Sequence, residues 1–400
     1  MTRLRVYDDT RALFHLPDGV IYLDGNSLGA LPLGVSERVG RVITEEWGNE
    51  LIRAWNTAGW YAQPRHVGDR IARLVGAEAG SVMVGDTLSL KVYQALAAAL
   101  DMNLSRKVIL SDTGNFPTDL YMAEGLIETL GRGHQLRLVA PEEIETALSE
   151  DVAVLYLTEV DYRTGRRHDM ATLTAKARAL GIVTVWDLAH SAGALPVDLA
   201  GSGADFAAGC TYKYINAGPG APAFLYVAPR HANSARAALS GWMGHAKPFA
   251  FELAYAAAGG VERMRVGTPP VLAMTALEAS LDIWDRVDIE EVRARSLSLG
   301  DLLISEVERR CPQLELVTPR VHERRGSQVS FAFEGGYAAM QALIARGVIG
   351  DFRAPDIMRF GLTPLYIGES EIVRAAEVIE EVIAGEAWRR SEYQVVNAVT

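Results

Sequence analysis

The residue in this sequence best placed for covalent chemistry is Lys213. It lies in the stretch CTYKYINAGPGAPAF at 210–224, between two tyrosines and ahead of a Gly-Pro-Gly loop. An ammonium group is strongly hydrated, so an apolar, glycine-rich setting is a costly place for one unless the amine is used. Burial and neighbouring cations can lower a lysine pKa and make the amine a Schiff-base nucleophile. Asp187 ends the apolar run VTVWD, and His190 follows it in DLAHSAG. Taken singly, each has a plainer reading. Asp187 is equally a helix cap, Lys213 a side chain reaching out to solvent, and His190 a satisfied half-buried histidine.

Taken together, a strand-end aspartate followed one β-unit later by a strand-end lysine suggests pyridoxal 5'-phosphate. The carboxylate pairs with a protonated ring nitrogen and keeps the pyridine an electron sink, while the amine carries the cofactor as a Schiff base. The phosphate needs donors. VGDTLSL at 84–90 supplies Gly85 and places Thr87 at the start of a helix, where backbone N–H groups and a hydroxyl meet a positive helix end. GNFPTDLY at 114–121 offers Phe116 as a ring to stack on the pyridine, Pro117 as a helix start, and Thr118 and Asp119 as polar groups close by. Thr87 also reads as an ordinary N-cap, and Phe116 as a hydrophobic staple.

These residues must be held by something, and the surrounding pattern says what. SVMVG (81–85), KVILSD (107–112), QLRLVA (135–140), VAVLYLT (152–158), IVTVWD (182–187), DFAAG (205–209) and AFLYVA (223–228) are mostly continuous apolar runs. Strands buried on both faces read this way, and helical patterns such as 169–180 separate them. The fold class is therefore α/β with a mainly parallel sheet. Ligands of such sheets bind beyond the carboxyl ends of the strands, which is where Thr87, 115–119, Thr158, Asp187, His190 and Lys213 fall. After TPP at 268–270 a long helical region runs to about 310. The strands QVSFAF (328–333) and GVIGDFR (347–353) and a helix over 369–384 then follow, a smaller α+β domain. The expected division is 1–50, an N-terminal segment packing with the small domain; 51–275, the large domain; and 276–400, the small domain.

The bulk numbers exclude several functions. Lys and Arg total 39 against 50 Asp and Glu, a net charge of -11, which argues against a non-specific nucleic-acid binder. The N-terminus MTRLRVYDDTR has no apolar signal region, and no apolar run has the ~18 residues of a membrane span. Two distant cysteines, Cys210 and Cys311, do not suggest a disulfide framework and fit a reducing cytoplasm. No cysteine–histidine cluster has metal-ligand spacing, so no metal site is expected.

WDLAHSAG followed by CTYKYINAGPG resembles the fold-type I pyridoxal phosphate enzymes of the class V aminotransferase group. More narrowly, YLDGNSLGALP (22–32), NFPTDLY (115–121), TYKYINAGPG (211–220), GWMGH (241–245) and MRFGLTPLY (358–366) resemble the kynureninase family, in its order and over nearly the whole chain. The resemblance implies a fold-type I pyridoxal phosphate-dependent transferase fold, with a seven-stranded sheet in the large domain. It also implies a cytoplasmic homodimer that shares its active sites. The implied activity is hydrolysis of L-kynurenine, or its 3-hydroxy form, to anthranilate or 3-hydroxyanthranilate and L-alanine, in tryptophan catabolism. Carried over by residue, Lys213 is the Schiff-base lysine and Asp187 the pyridinium partner. Phe116 stacks on the ring, Asp119 and Thr158 contact its side, and Pro117 and Thr118 belong to the same binding stretch. Thr87, Leu88, His190 and Tyr212 surround the phosphate, and Trp242 reaches it from the other subunit. Arg359 holds the substrate α-carboxylate with Ser27 nearby, and Tyr212 is a proton relay. Aromatic stretches containing Trp55 and Trp242 are expected to form the apolar slot for the aryl ring. Thr268 departs from the pattern, since many family members carry asparagine there and the related desulfurases a similar Gly-Thr-Pro; threonine still donates to a phosphate. The main rival is a cysteine desulfurase or other class V enzyme. A desulfurase needs a persulfide-accepting cysteine on a mobile loop, which neither Cys210 nor Cys311 provides.

Overall fold

The apolar runs pair as their composition requires. In the computed structural model, which describes residues 2–395, they form a seven-stranded sheet. Its strands are β1 (Val82–Val84), β2 (Val108–Asp112), β3 (Gln135–Val139), β4 (Val152–Thr158), β5 (Val183–Asp187), β6 (Phe206–Gly209) and β7 (Phe224–Val227). The order across the sheet is β1-β7-β6-β5-β4-β2-β3, and only β7 runs antiparallel to its neighbours. The mainly parallel seven-stranded sheet read from the sequence is the one observed. Met1 and 396–400, at the outer ends of the segments expected at 1–50 and 276–400, lie outside the described residues.

Both faces of the sheet are covered over its central strands, which explains why these are mostly apolar; every residue of β4 is buried, whereas edge strand β3 is exposed at Gln135 and Leu138. Helices Leu88–Met102 and Pro117–Leu130 cover one face, where Val92, Leu96 and Leu126 meet Val154, Tyr156 and Phe206. On the other face Leu110, Leu155 and Trp186 belong to a continuous core that includes Leu303, Val329 and Ile379 of the C-terminal part.

That C-terminal part has a four-stranded antiparallel sheet of β8 (Glu315–Leu316), β9 (Gln328–Ala332), β10 (Asp351–Arg353) and β11 (Ile357–Gly361), in the order β8-β9-β11-β10. The stretch 347–353, expected as one strand, is two. Val348–Ile349 pairs in parallel with Ile21–Tyr22, and only Asp351–Arg353 joins the antiparallel sheet. Gly350 separates them, and a Cβ there would come 2.6 Å from the Arg359 carbonyl oxygen. The helical region before 310 is likewise two helices, Val271–Trp284 and Ile289–Arg310, the second capped by Asp288, whose carboxylate accepts the Glu290 N–H at 2.9 Å.

The N-terminal segment crosses between the two sheets. Leu23 donates to Ile349 O at 2.6 Å and accepts from Gly361 N at 2.7 Å, while Gly29 N–H donates to the Tyr212 carbonyl at 2.8 Å. Among the described residues no helix is long and apolar enough to cross a membrane.

Trp186 is fully buried, and its indole N–H donates to Thr174 Oγ1 at 3.1 Å. Trp186→Ala should therefore lower unfolding stability by about 3–5 kcal/mol. Chemical unfolding followed by circular dichroism measures this, and a loss below about 1 kcal/mol contradicts the packing described.

Candidate active site

Parallel strands bring their carboxyl ends to one edge, and the chemistry-bearing residues collect there. Thr158 at the end of β4 and Asp187 at the end of β5 are register partners. Thr158 Oγ1 donates to Asp187 Oδ2 at 3.0 Å, and the Ala189 N–H donates to Oδ1 at 2.7 Å. Asp187 is 2% exposed. Burial pushes its carboxyl up, opposed first by the Lys213 charge and then by these donors. Asp119, in the first turn of helix Pro117–Leu130, is equally buried. Burial and then the Asp187 charge push it well above the usual carboxylate range, and its Oδ2 has no hydrogen-bond partner among the described residues. Two carboxyls buried together do not both ionise. Asp187, with donors on both oxygens, holds the charge; Asp119 holds the proton.

Lys213 follows β6. Its Nζ lies 2.9 Å from His190 Nε2, which is also 3.1 Å from the Asn26 carbonyl, so one ring nitrogen faces two partners. Burial holds His190 neutral, well below its usual range, and the charges of Lys213, Arg359 and Arg353 act in the same direction. The Phe116 and Tyr212 rings are centred 5.9 and 5.8 Å from Nζ. Phe116 keeps an open face while Tyr162 packs edge-on against it at 5.0 Å. Burial, and then neighbouring Cys210, raises the Tyr212 phenol, which stays protonated.

The Lys213 loop is fixed from three directions. Asn216 N–H donates to the Lys213 carbonyl at 2.9 Å, Tyr214 Oη donates to Ser327 O at 3.0 Å, and Gly29 donates to Tyr212 O. At Gly29 only a hydrogen fits, because a Cβ would sit 2.3 Å from the Lys213 carbonyl oxygen.

At the end of β1, Gly85 and Asp86 take positive φ and turn the chain into helix Leu88–Met102. Thr87 is its N-cap, exposed and making no side-chain cap bond, so the hydroxyl and the first N–H groups, Leu88 included, are available to an anion. Pro117 and Thr118 open helix Pro117–Leu130.

The residues present fit pyridoxal 5'-phosphate. A buried ionised carboxylate, an orphaned carboxyl oxygen beside it, an amine, an open aromatic face and an uncapped helix N-terminus all stand at one sheet edge. Asp187 would hold the ring nitrogen, Lys213 the aldehyde carbon and the Thr87–Leu88 turn the phosphate.

Arg359 on β11 stands directly across from Asp351 on β10. Its Nε donates to Asp351 Oδ1 at 2.6 Å and its Nη2 bonds Asp351 Oδ2. Nη2 also donates to Ser27 Oγ at 3.1 Å, and Nη1 bonds the Tyr162 carbonyl. The bidentate fork expected for a substrate is thus seated on Asp351. Ser27 Oγ donates to Asp351 Oδ2 at 2.5 Å, which places Ser27 in the same cluster. Among the described residues, Trp242 packs with Phe249 and Phe251, and Trp55 packs with Trp60; Thr268 is exposed.

Sequence reasoning passed over Asp24, Asn26, Tyr162, Asp351 and Arg353. Only Asp351 and Arg353 left a usable signal. Residues two apart in a strand share a face, so a charged i, i+2 pair in GVIGDFR points to a polar site on that face.

Asp24 is pushed up to about 7 by burial and the Asp351 charge, and its Oδ1 has no partner among the described residues. In the unfolded chain it ionises near pH 4. The stability it contributes is therefore present at acid pH and lost as pH rises toward 7. Asp24→Asn should raise the unfolding temperature relative to wild type by more at pH 8 than at pH 5. A difference independent of pH contradicts the assignment.

The model of the kynureninase C-terminal domain matches residues 292–379. A kynureninase from Pseudomonas fluorescens is 49% identical over 397 residues, covering 98% of this chain and 95% of that protein. One from Burkholderia pseudomallei (strain 1106a) is 50% identical with the same coverage. Among solved structures, a cysteine desulfurase from Thermococcus onnurineus NA1 superposes with a TM-score of 0.80 at 19% identity, covering 96% of this chain and 100% of its own. A cysteine desulfurase from Escherichia coli gives 0.78 at 18%, covering 94% and 97%. The desulfurases share the fold. The near-full-length identity, together with the Asp187–Lys213 edge, places this chain in the kynureninase family.

Proposed function

We propose that the chain hydrolyses L-kynurenine, and its 3-hydroxy form, to anthranilate or 3-hydroxyanthranilate and L-alanine, using pyridoxal 5'-phosphate. The observation that carries this reading is the Asp187–Lys213 pair at the sheet edge of a chain half identical to kynureninases along its length. When bound, the cofactor supplies an electron sink that makes the α-proton of an amino acid removable.

Lys213 takes and returns the proton at the substrate α-carbon, and neutral His190, 2.9 Å away, leaves it free to do so. Asp187, held ionised by Thr158 and the Ala189 N–H, keeps the pyridine nitrogen protonated. Asp119 and Thr158 line the ring edge, Phe116 stacks on its face, and Pro117 and Thr118 set the helix start beside it. Thr87, Leu88, His190 and Tyr212 surround the phosphate. The protonated Tyr212 phenol acts as acid and relay. Water adds at the γ-carbonyl carbon, the Cβ–Cγ bond breaks, the acyl carbon leaves as the aryl carboxylate and Cβ takes a proton to become the alanine methyl. Arg359 and Ser27 stand at the α-carboxylate end, and Trp55 and Trp242 flank the aryl ring.

The functional unit in this reading is a homodimer in the cytoplasm. Trp242 of one protomer reaches the cofactor phosphate of the other, and Thr268 is a further hydroxyl donor for a phosphate. Exposed Trp47, Leu51, Ile52, Phe251 and Leu253, and a largely apolar cavity of about 780 Å³ bordered by Leu28, Ile43 and Leu272, support a large contact there. Two free buried thiols fit a reducing compartment.

Cysteine desulfurization is the less favoured reading, because a persulfide acceptor must be an accessible thiolate. Cys210 and Cys311 are both buried, and burial raises both thiols, Cys311 to about 11.

The test mixes purified protein, pyridoxal phosphate and L-kynurenine, and follows loss of kynurenine absorbance with gain of anthranilate fluorescence. Lys213→Ala should lower turnover by at least about a thousandfold with an unchanged circular dichroism spectrum. A variant that kept full activity would overturn the reading.

A further inference from the structure

The charged cluster around Arg359 contains more cation than that residue needs. Asp351 and Arg353, two apart on β10, share one face of the strand, and Arg359 stands opposite Asp351 on β11. Asp351 thus lies between two guanidiniums, with Arg353 Nη2 2.9 Å from its Oδ2.

The two arginines differ in what they have left to offer. A guanidinium carries five N–H donors. Arg359 uses Nε and Nη2 on Asp351, Nη2 again on Ser27 and Nη1 on the Tyr162 carbonyl, so a single Nη1 proton remains. Its side chain is 1% exposed. Arg353 makes one hydrogen bond among the described residues, Nη1 to the Phe352 carbonyl at 2.8 Å, beside its ionic contact with Asp351. Its Nε is uncommitted among the described residues, and its side chain is 35% exposed. The cluster borders the reaction site, since Arg359 bonds the Tyr162 carbonyl and the Tyr162 ring packs against Phe116, whose ring is centred 5.9 Å from Lys213 Nζ. Of the other charged groups here, Asp24 is pushed up to about 7 by burial and the Asp351 charge, so it is only partly ionised at neutral pH. Against burial, the bond to Arg359 and the charges of both arginines hold Asp351 below the usual carboxylate range.

We propose that Arg353 is a second substrate-binding residue, receiving the α-carboxylate of the amino-acid substrate together with the one remaining N–H of Arg359. This rests on the reading that an amino acid is processed at Lys213, and it names how that amino acid's carboxylate is read. Asp351 then acts as a positioning residue. It fixes Arg359 in plane and holds the open edge of Arg353 toward the site, while the substrate carboxylate neutralises the surplus positive charge.

The test is a binding ratio on the pyridoxal phosphate-loaded protein. Dissociation constants for L-alanine and L-alaninamide are read from the change in cofactor absorbance, for wild type, Arg353→Gln and Arg353→Lys. Arg353→Gln should weaken L-alanine by about tenfold or more and L-alaninamide by less than about twofold, the size of a charge-assisted contact made to the carboxylate alone. Arg353→Lys keeps the charge without the fork and should fall between, and it carries the test if the glutamine variant loses cofactor. Equal losses for acid and amide, or no loss for either, would overturn the proposal. Kynurenine turnover by the wild-type protein is scored separately, so an inactive wild type that still prefers acid over amide through Arg353 refutes the reaction and leaves this inference standing.

Discussion

The structure at the sheet edge depends on one constraint: a carboxylate that is 2% exposed has to stay ionised. Water does not solvate it there, so protein donors must. Thr158 and the Ala189 amide supply them on separate oxygens, and Lys213 supplies the charge. Asp119 sharpens the arrangement. Because two buried carboxyls cannot share the pocket as two anions, its proton defines Asp187 as the charged member. Asp119 Oδ2 and Lys213 Nζ then lie near a fixed negative charge, a setting that matches a protonated heterocycle and not a bare cavity.

The same logic explains why three separate parts of the chain converge on Lys213. Asn216 in this loop takes a φ of 62°, and a non-glycine residue in that conformation persists only where its surroundings over-determine it. Gly29 presses on the Lys213 carbonyl from the N-terminal segment, Ser327 anchors Tyr214 from the C-terminal part, and His190 meets Nζ from the loop after β5. The desulfurases reach the same fold at 18–19% identity, so the scaffold does not choose the reaction. The buried cysteines and the charged cluster on β10 and β11 are features of this chain that bear on that choice.

Much of this was legible in the sequence. Strands buried on both faces write themselves as continuous apolar runs, so all seven strands of the large sheet were found, and the polar residues just past their ends were the ones gathered at the site. Asp187, Thr158 and Lys213 were visible because the strand pattern fixes where each strand stops. The C-terminal sheet was less legible. Its edge strands β8 and β10 have only two and three residues, β11 carries a buried arginine where an apolar residue is expected, and Gly350 splits an apolar run between two sheets. Asn26 and Tyr162 were invisible for a different reason: Asn26 reaches His190 and Tyr162 reaches Arg359 through backbone carbonyls, and a carbonyl leaves no trace in residue type.

The most direct measurement of the central claim is chemical trapping of the amine. Purified protein is loaded with pyridoxal phosphate, reduced with borohydride, digested and mapped by mass spectrometry. A pyridoxyl label confined to the peptide carrying Lys213, and lost when Asp187 is replaced by alanine, is the predicted result. A protein that takes up no chromophore, or carries the label on a different lysine, would contradict the account.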